Sequence, residues 1–429
     1  MELRDYQKAI VAKGREILSK FGILFLAMEV RTGKTLTALF ICQGLNRVLF
    51  VTKKKAISSI EEDFERSGLD YYLKVINFES LSKVPMDKWD VVIIDESHSI
   101  GSFPKPSKRA KDIKAVVEAS LCPTIHLSGT PTPESWSQIY HQLWVNPNSP
   151  FADCKSFYSW VKRGYVDKKE KRVNYGRIIA DYSNGRKDLI MPKIQPFSIH
   201  YSQDQAGFDS KIEEEILYVK MKPSTYSICE RLKRDLFIDE RVVADTPTKL
   251  QQKLHQMYSG TIKFTDGTRK VFDTTKAEFI KTRFEGKRIA IFYKFTAELL
   301  ALKQVFGDRI TDDIATFDSD PHKVIALQIQ SGREGTKLSS ADALIFYNID
   351  FSATSYWQGR DRMTTKDRKD NRVYWIFAEG GLEDFVYQRV ANKKQYTSYY
   401  FKKDVVFNTE KMKELSVEKS KEIINLRRI

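Results

Sequence analysis

Two short segments carry the residue types and order that phosphate chemistry needs. The first is Ala27-Met28-Glu29-Val30-Arg31-Thr32-Gly33-Lys34-Thr35. It follows an apolar run at 22–26 and precedes a helical pattern at 36–41. Strand, glycine turn and helix form the setting of a phosphate-binding P-loop. N–H groups at a helix N-terminus converge on one point, and the helix dipole favours an anion there. The candidate nucleotide contacts are therefore Arg31, Thr32, Gly33, Lys34 and Thr35. Lys34 adds a charge that reaches the β- and γ-phosphates of ATP, and the Thr35 hydroxyl is a ligand for Mg2+. The full motif asks for a glycine where Met28 stands. The second segment, Asp95-Glu96-Ser97-His98, ends the apolar run Val91-Val92-Ile93-Ile94. A buried strand that delivers two carboxylates needs a compensating charge. A divalent cation supplies it. Asp95 would hold Mg2+ directly or through water, and Glu96 would orient and deprotonate the attacking water.

Elements that position such groups are legible around them. Apolar, β-branched runs at 23–26, 47–52, 73–78, 90–95 and 124–128 predict strands. Helical patterns intervene, as at 56–67 and 110–120. Such alternation argues for a parallel α/β sheet, with ligands at the strand C-termini. The candidates Lys34, Thr52-Lys53, Asp95-Glu96 and Ser128-Gly129-Thr130 all fall at such ends. A second alternation runs through strands at 288–293, 324–329, 343–348 and 372–378, with helices at 275–284, 297–306 and 382–393. The expected domains are 1–150, a basic linker or insertion at 151–270, 271–400, and a charged tail at 401–429. Within the insertion, 211–220 and 224–240 read as helices, and 263–270 as a hairpin. The tail reads as a surface helix or a partner-docking segment.

The 429 residues are 41% hydrophobic, which suits a folded protein of two or three domains. No apolar run is long enough for a membrane span, and the charged N-terminus lacks a signal-peptide core. Cys42, Cys122, Cys154 and Cys229 are far apart, so neither a structural metal nor a disulfide framework is expected. A reducing, cytoplasmic setting fits. The net charge of +15 points to polyanionic partners. Residues 162–193 hold ten Lys/Arg against four Asp/Glu, with Tyr158, Trp160, Tyr165, Tyr175 and Tyr182 within or beside them. Two readings stand for this stretch: a nucleic-acid surface or a solvated basic insertion.

The order P-loop, Asp95-Glu96-Ser97-His98, then Leu127-Ser128-Gly129-Thr130-Pro131 and Ile139-Tyr140-His141-Gln142-Leu143-Trp144 resembles the superfamily-two helicases and translocases, in their Swi/Snf-type ATPase branch. Members of that branch often lack the first P-loop glycine, which accounts for Met28. The matches run from Leu3 to about Arg389, and the compact length is similar to bacteriophage versions, which would place the protein in a host cytoplasm. The resemblance implies two RecA-like lobes with ATP between them, closing on ATP and reopening on hydrolysis. It implies that Gln7, in Leu3-Arg4-Asp5-Tyr6-Gln7, reads adenine. It implies nucleic-acid contacts by Thr52, Lys53, Lys54 and Ser80, and by Ser331, Gly332 and Arg333 in the second lobe. A plain helix-start charge run is the other reading of Lys53-Lys54-Lys55. His98, Ser128, Gly129, Thr130 and Gln358 would couple hydrolysis to lobe movement, although a lone histidine is as readily structural. Tyr356-Trp357-Gln358-Gly359-Arg360-Asp361-Arg362 resembles the last motif, whose arginine meets the γ-phosphate. The family's second arginine falls on Thr365, so Arg362 is the first candidate and Arg360 the second. The implied activity is ATP-driven movement on double-stranded or branched DNA. Two alternatives stay open: an RNA-dependent ATPase or helicase, and a nucleic-acid-binding switch that turns over little.

Overall fold

The structure is a computed structural model and describes residues 2–84, 88–172, 178–207, 211–332, 338–360, 370–392 and 398–412. It divides into two units, Met1–Asp209 and Ser210–Ile429.

The first unit is built on β1 (Ile23–Met28), β2 (Arg47–Thr52), β3 (Tyr72–Asn77), β4 (Val91–Ile94) and β5 (Thr124–Leu127). A hairpin of β6 (Lys169–Arg172) and β7 (Ile178–Asp181) lies apart, and β8 (Ser198–Tyr201) returns to the main sheet. The sheet order is β3-β2-β4-β5-β1-β8, and each neighbouring pair is parallel. Strands covered on both faces must be apolar throughout. Accordingly every residue of β1, β4 and β5 is buried. All five strands expected here are present within a residue or two.

The second unit has β9 (Lys211–Val219), a hairpin of β10 (Thr261–Lys263) and β11 (Arg269–Val271), then β12 (Ile289–Tyr293), β13 (Ile310–Thr311), β14 (Val324–Gln328), β15 (Ala343–Phe346) and β16 (Asp370–Ala378). Its sheet order is β13-β14-β12-β15-β16-β9, again parallel. Both units are RecA-like lobes in this sense: a parallel six-stranded sheet with helices between successive strands.

Three expectations are corrected. Residues 211–220 form β9, not a helix, and pair with β16 over nine residues. The segment 151–270 is not a separate insertion. Its first part packs in the first unit, where Phe157, Trp160 and Phe197 are core residues, and its second part belongs to the other unit, where Cys229, Leu232 and Leu254 are core. The start of the tail is not a loose surface helix. In the helix Ser398–Asp404, Phe401 is fully buried in the second core. Residues 413–429 lie outside the described residues.

The aromatics of the basic stretch also have a packing role. Trp160 stacks on Tyr165 with centroids 5.2 Å apart, and Tyr182 meets Phe157 edge-on at 5.6 Å. Tyr158 remains exposed; Tyr175 lies outside the described residues. No described helix is long and apolar enough to cross a membrane, and all four cysteines are buried and unbridged.

Candidate active site

The P-loop leaves β1 at Met28 and enters the helix Lys34–Ile41. Arg31 and Gly33 both have positive φ, 64° and 78°. Such backbone turns the N–H groups at the helix start toward one side, and only glycine adopts it without strain. Gly33 has a second reason to be glycine: a Cβ there would collide with the Gln7 amide. Gln7 is buried in the helix Asp5–Phe21. Its Nε2 donates to Gly33 O and to Thr37 Oγ1, both at 3.3 Å, and its Oε1 accepts from Arg4 N at 3.0 Å. The residue expected to read adenine thus braces the P-loop from behind. Next to it, the Tyr6 hydroxyl donates to Thr32 O at 3.0 Å, and the Tyr6 ring stacks on Tyr201 at 4.7 Å. Thr32 is buried and its hydroxyl donates to Glu29 O at 2.8 Å. Lys34 Nζ donates to Met28 O at 3.2 Å, curling over the loop. Thr35 is half-buried in the first turn of the helix.

Beyond β4, Asp95 Oδ2 accepts from the Thr52 hydroxyl at 2.8 Å, and Oδ1 accepts from Glu96 N at 3.0 Å. Burial, then the adjacent Glu96 charge, pushes the Asp95 carboxyl up to about 6, against the pull of Lys34 and Thr52. Thr52 is therefore part of the carboxylate site. Its side chain is buried and its hydroxyl donates to Asp95. Its neighbours differ: Lys53 is half-buried and Lys54 exposed at the start of a 3-10 turn. Ser80 lies in the turn after β3, where its N–H donates to Asn77 Oδ1 at 3.0 Å.

Glu96 has φ 47° and ψ 48°, a left-handed conformation. A non-glycine residue there costs about 1–2 kcal/mol, and such strain collects at functional sites. Glu96 Oε2 lies 3.2 Å from His98 Nδ1. The same nitrogen is 3.1 Å from Ser128 Oγ, which accepts from Thr130 N at 3.2 Å. Gly129 lies against the P-loop: a Cβ there would sit 3.4 Å from Met28 O and 3.5 Å from Lys34 Nζ. So Lys34, Asp95, Glu96, His98, Ser128, Gly129 and Thr130 form one cluster. The Glu96–His98–Ser128 contacts place His98 between the carboxylate and the loop after β5. Ser97 and Gln142 extend the cluster, since the Ser97 hydroxyl donates to Gln142 Oε1 at 3.2 Å and Gln142 Nε2 donates to Pro131 O at 2.8 Å. Thr37 and Tyr201 carry no spacing that would single them out beforehand, whereas Gln142 lies in the segment Ile139–Trp144 of the resemblance.

Asp95 and Thr35 suit a hard cation. Mg2+ takes oxygen ligands, and phosphate oxygens and waters complete its shell. Its charge would favour the ionised form of a carboxyl that burial disfavours. Among the described residues no group of three acidic, histidine or cysteine side chains forms a closed metal site.

In the second unit, Ser331 and Gly332 end the short helix Ile329–Gly332; Arg333 lies outside the described residues. Gln358 is buried in the helix Ala353–Arg360. Arg360 Nη1 pairs with Glu214 Oε1 at 2.6 Å. Arg362, like Thr365, lies outside the described residues.

No family model matches the chain. It is similar to Helicase SWR1 of Yarrowia lipolytica, 28% identical over 201 residues, which is 42% of this chain and 11% of the relative's length. Over 92% of its length it is also similar to the Sulfolobus solfataricus SWI2/SNF2 ATPase core domain, with 89% of that chain covered, 16% identity and a TM-score of 0.40. The helicase similarity covers less than half of this chain and about a tenth of that relative, and within the chain it stands beside the two parallel six-stranded sheets.

Proposed function

We propose that the chain hydrolyses ATP with Mg2+ and uses the cycle to move on nucleic acid, with double-stranded or branched DNA the preferred track. In this reading the N–H groups at the start of the helix Lys34–Ile41 and the Lys34 ammonium hold the phosphates. Thr35 and Asp95 would hold the cation, whose charge would offset that of the phosphates. Glu96 takes the proton from the attacking water. His98 and Ser128 pass a change at Glu96 to Thr130 and to Gly129 beside the P-loop. Lys53, Lys54 and the net charge of +15 suit a polyanionic partner.

The observation that carries the reading is the continuous path from Glu96 through His98 to Ser128, beside the bracketed Lys34 and Asp95. A surface lysine and a solvated strand end would not be joined in this way.

The test is steady-state ATP hydrolysis with no nucleic acid, single-stranded DNA, duplex DNA, four-way DNA and duplex RNA. Stimulation by duplex or four-way DNA, lost in Lys34→Ala, is expected. Stimulation by RNA alone would move the substrate to RNA. Absence of turnover with every polymer would leave a nucleotide switch in place of a motor.

A further inference from the structure

The helix Ala353–Arg360 carries Gln358, and two contacts fix how it sits within its own unit. Gly359 sets the distance. A Cβ there would lie 2.9 Å from Phe346 Cζ on β15, so glycine lets the backbone approach the sheet. Glu214, on the edge strand β9, sets the rotation. Its two oxygens accept from the Tyr356 hydroxyl at 3.0 and 2.8 Å. Oε1 also accepts from Arg360 Nη1 at 2.6 Å, and Oε2 from Trp375 Nε1 at 3.0 Å. Tyr356 and Arg360 are four residues apart, hence on one face of the helix. Trp375 belongs to β16, and its ring stacks on Phe346 at 3.9 Å and on Tyr356 at 5.1 Å. Stacked rings alone would let the helix turn about its axis. Directional bonds to a carboxylate do not, and charge-assisted ones are about twice as strong as neutral ones. The flanking Glu213 and Glu215 are exposed, so the middle glutamate alone of the three is turned to this task.

We propose that Glu214 is a positioning residue for the glutamine–arginine helix, and that Arg360 is the cation that seats this helix on its sheet rather than the one that meets the nucleotide. The proposal rests on the ATPase reading above.

Glu214→Gln tests it in the full chain. The amide keeps the size of the side chain and an acceptor for Tyr356 and Trp375, but removes the charge. With the stimulating nucleic acid present, kcat should fall about tenfold to a hundredfold, the scale of a small misplacement, while KM for ATP stays put and the chain remains folded at the assay temperature, the stranded Arg360 lowering only the thermal midpoint. Arg360→Gln should behave the same way, and the double variant should lose no more than the worse single one. Unchanged kcat in Glu214→Gln overturns the proposal, as does a fall that tracks lost folded protein. A far larger loss in Arg360→Gln than in Glu214→Gln returns Arg360 to the nucleotide. Absence of turnover in the wild type would instead sink the ATPase reading and the proposal with it, so the two failures are distinguishable.

Discussion

In each unit a buried strand turns through a lysine into a helix, with an aspartate at a neighbouring strand end, and the two sites treat their charges in opposite ways. In the first, Lys34 donates to a backbone carbonyl, and Asp95 keeps its proton up to about 6 because burial and Glu96 outweigh Lys34 and Thr52. In the second, Lys294 Nζ pairs with Asp350 at 2.9 Å and lies 3.6 Å from the Phe351 ring centroid. Burial raises the Asp350 carboxyl, but Lys294, Ser355 and Phe351 N–H together hold it below its ordinary value. The helix starts differ in the same sense. Gly33 presents backbone with no side-chain cap. At the helix Thr296–Phe306, Glu298 folds back to accept from Lys294 N at 2.7 Å and Phe295 N at 2.9 Å. A carboxylate of the chain itself occupies the place where an anion would go. In the proposed reading a ligand completes the first site, whereas the second is complete already.

The contrast breaks most visibly at the carboxylates. Glu96→Gln should lower ATP turnover by about 10²–10⁴-fold, the usual contribution of a general base, while ATP still binds. Turnover close to wild type would remove Glu96 from the chemistry. The lysines should separate two properties. Lys34→Ala should abolish turnover with little change in thermal stability. Lys294→Ala should strand Asp350 with only neutral donors and cost on the order of 3 kcal/mol, seen as a Tm lower by roughly 10 °C. If both variants lose stability equally, the two sites are not different in kind.

The first site was largely readable because its signals are local: a P-loop, then a strand ending in Asp95-Glu96, each within nine residues. What escaped depends on pairing across the chain. Lys211–Val219 has Ile212 and Ile216 at helical spacing among charges, yet nine residues of ladder with β16 outweigh that local preference. The charges suit an edge strand, where they discourage further pairing. The place of β8 beside β1 is likewise non-local, so the boundary near residue 209 had no sequence mark. Thr52 and Gln7 were singled out as contacts for ligands, and the packing gives their polar groups to Asp95 and Gly33. A motif reports that a residue matters at a site more readily than which side of the site it serves.

The smallest expected effect concerns Asp95 in the absence of nucleotide. Its carboxyl has an ordinary value of 3.8 and a folded value of about 6. Between those limits the folded chain holds a proton that the unfolded chain releases, so stability falls as pH rises from about 4 to about 6. At pH 7 the buried charge is a net liability. Asp95→Asn should therefore raise stability by about 1–3 kcal/mol at pH 7 and hardly at all at pH 4, while turnover is lost. Asp350→Asn should do the reverse and weaken the second unit at pH 7. Thermal unfolding across this pH range checks both. Mg2+ with a non-hydrolysable ATP analogue should then stabilise the wild type more than Asp95→Asn, because only the carboxylate gains a cation on binding. An Asp95→Asn chain that is less stable than wild type at pH 7 would mean that the Thr52 bond and Lys34 already satisfy the carboxylate. The first site would then be as self-sufficient as the second.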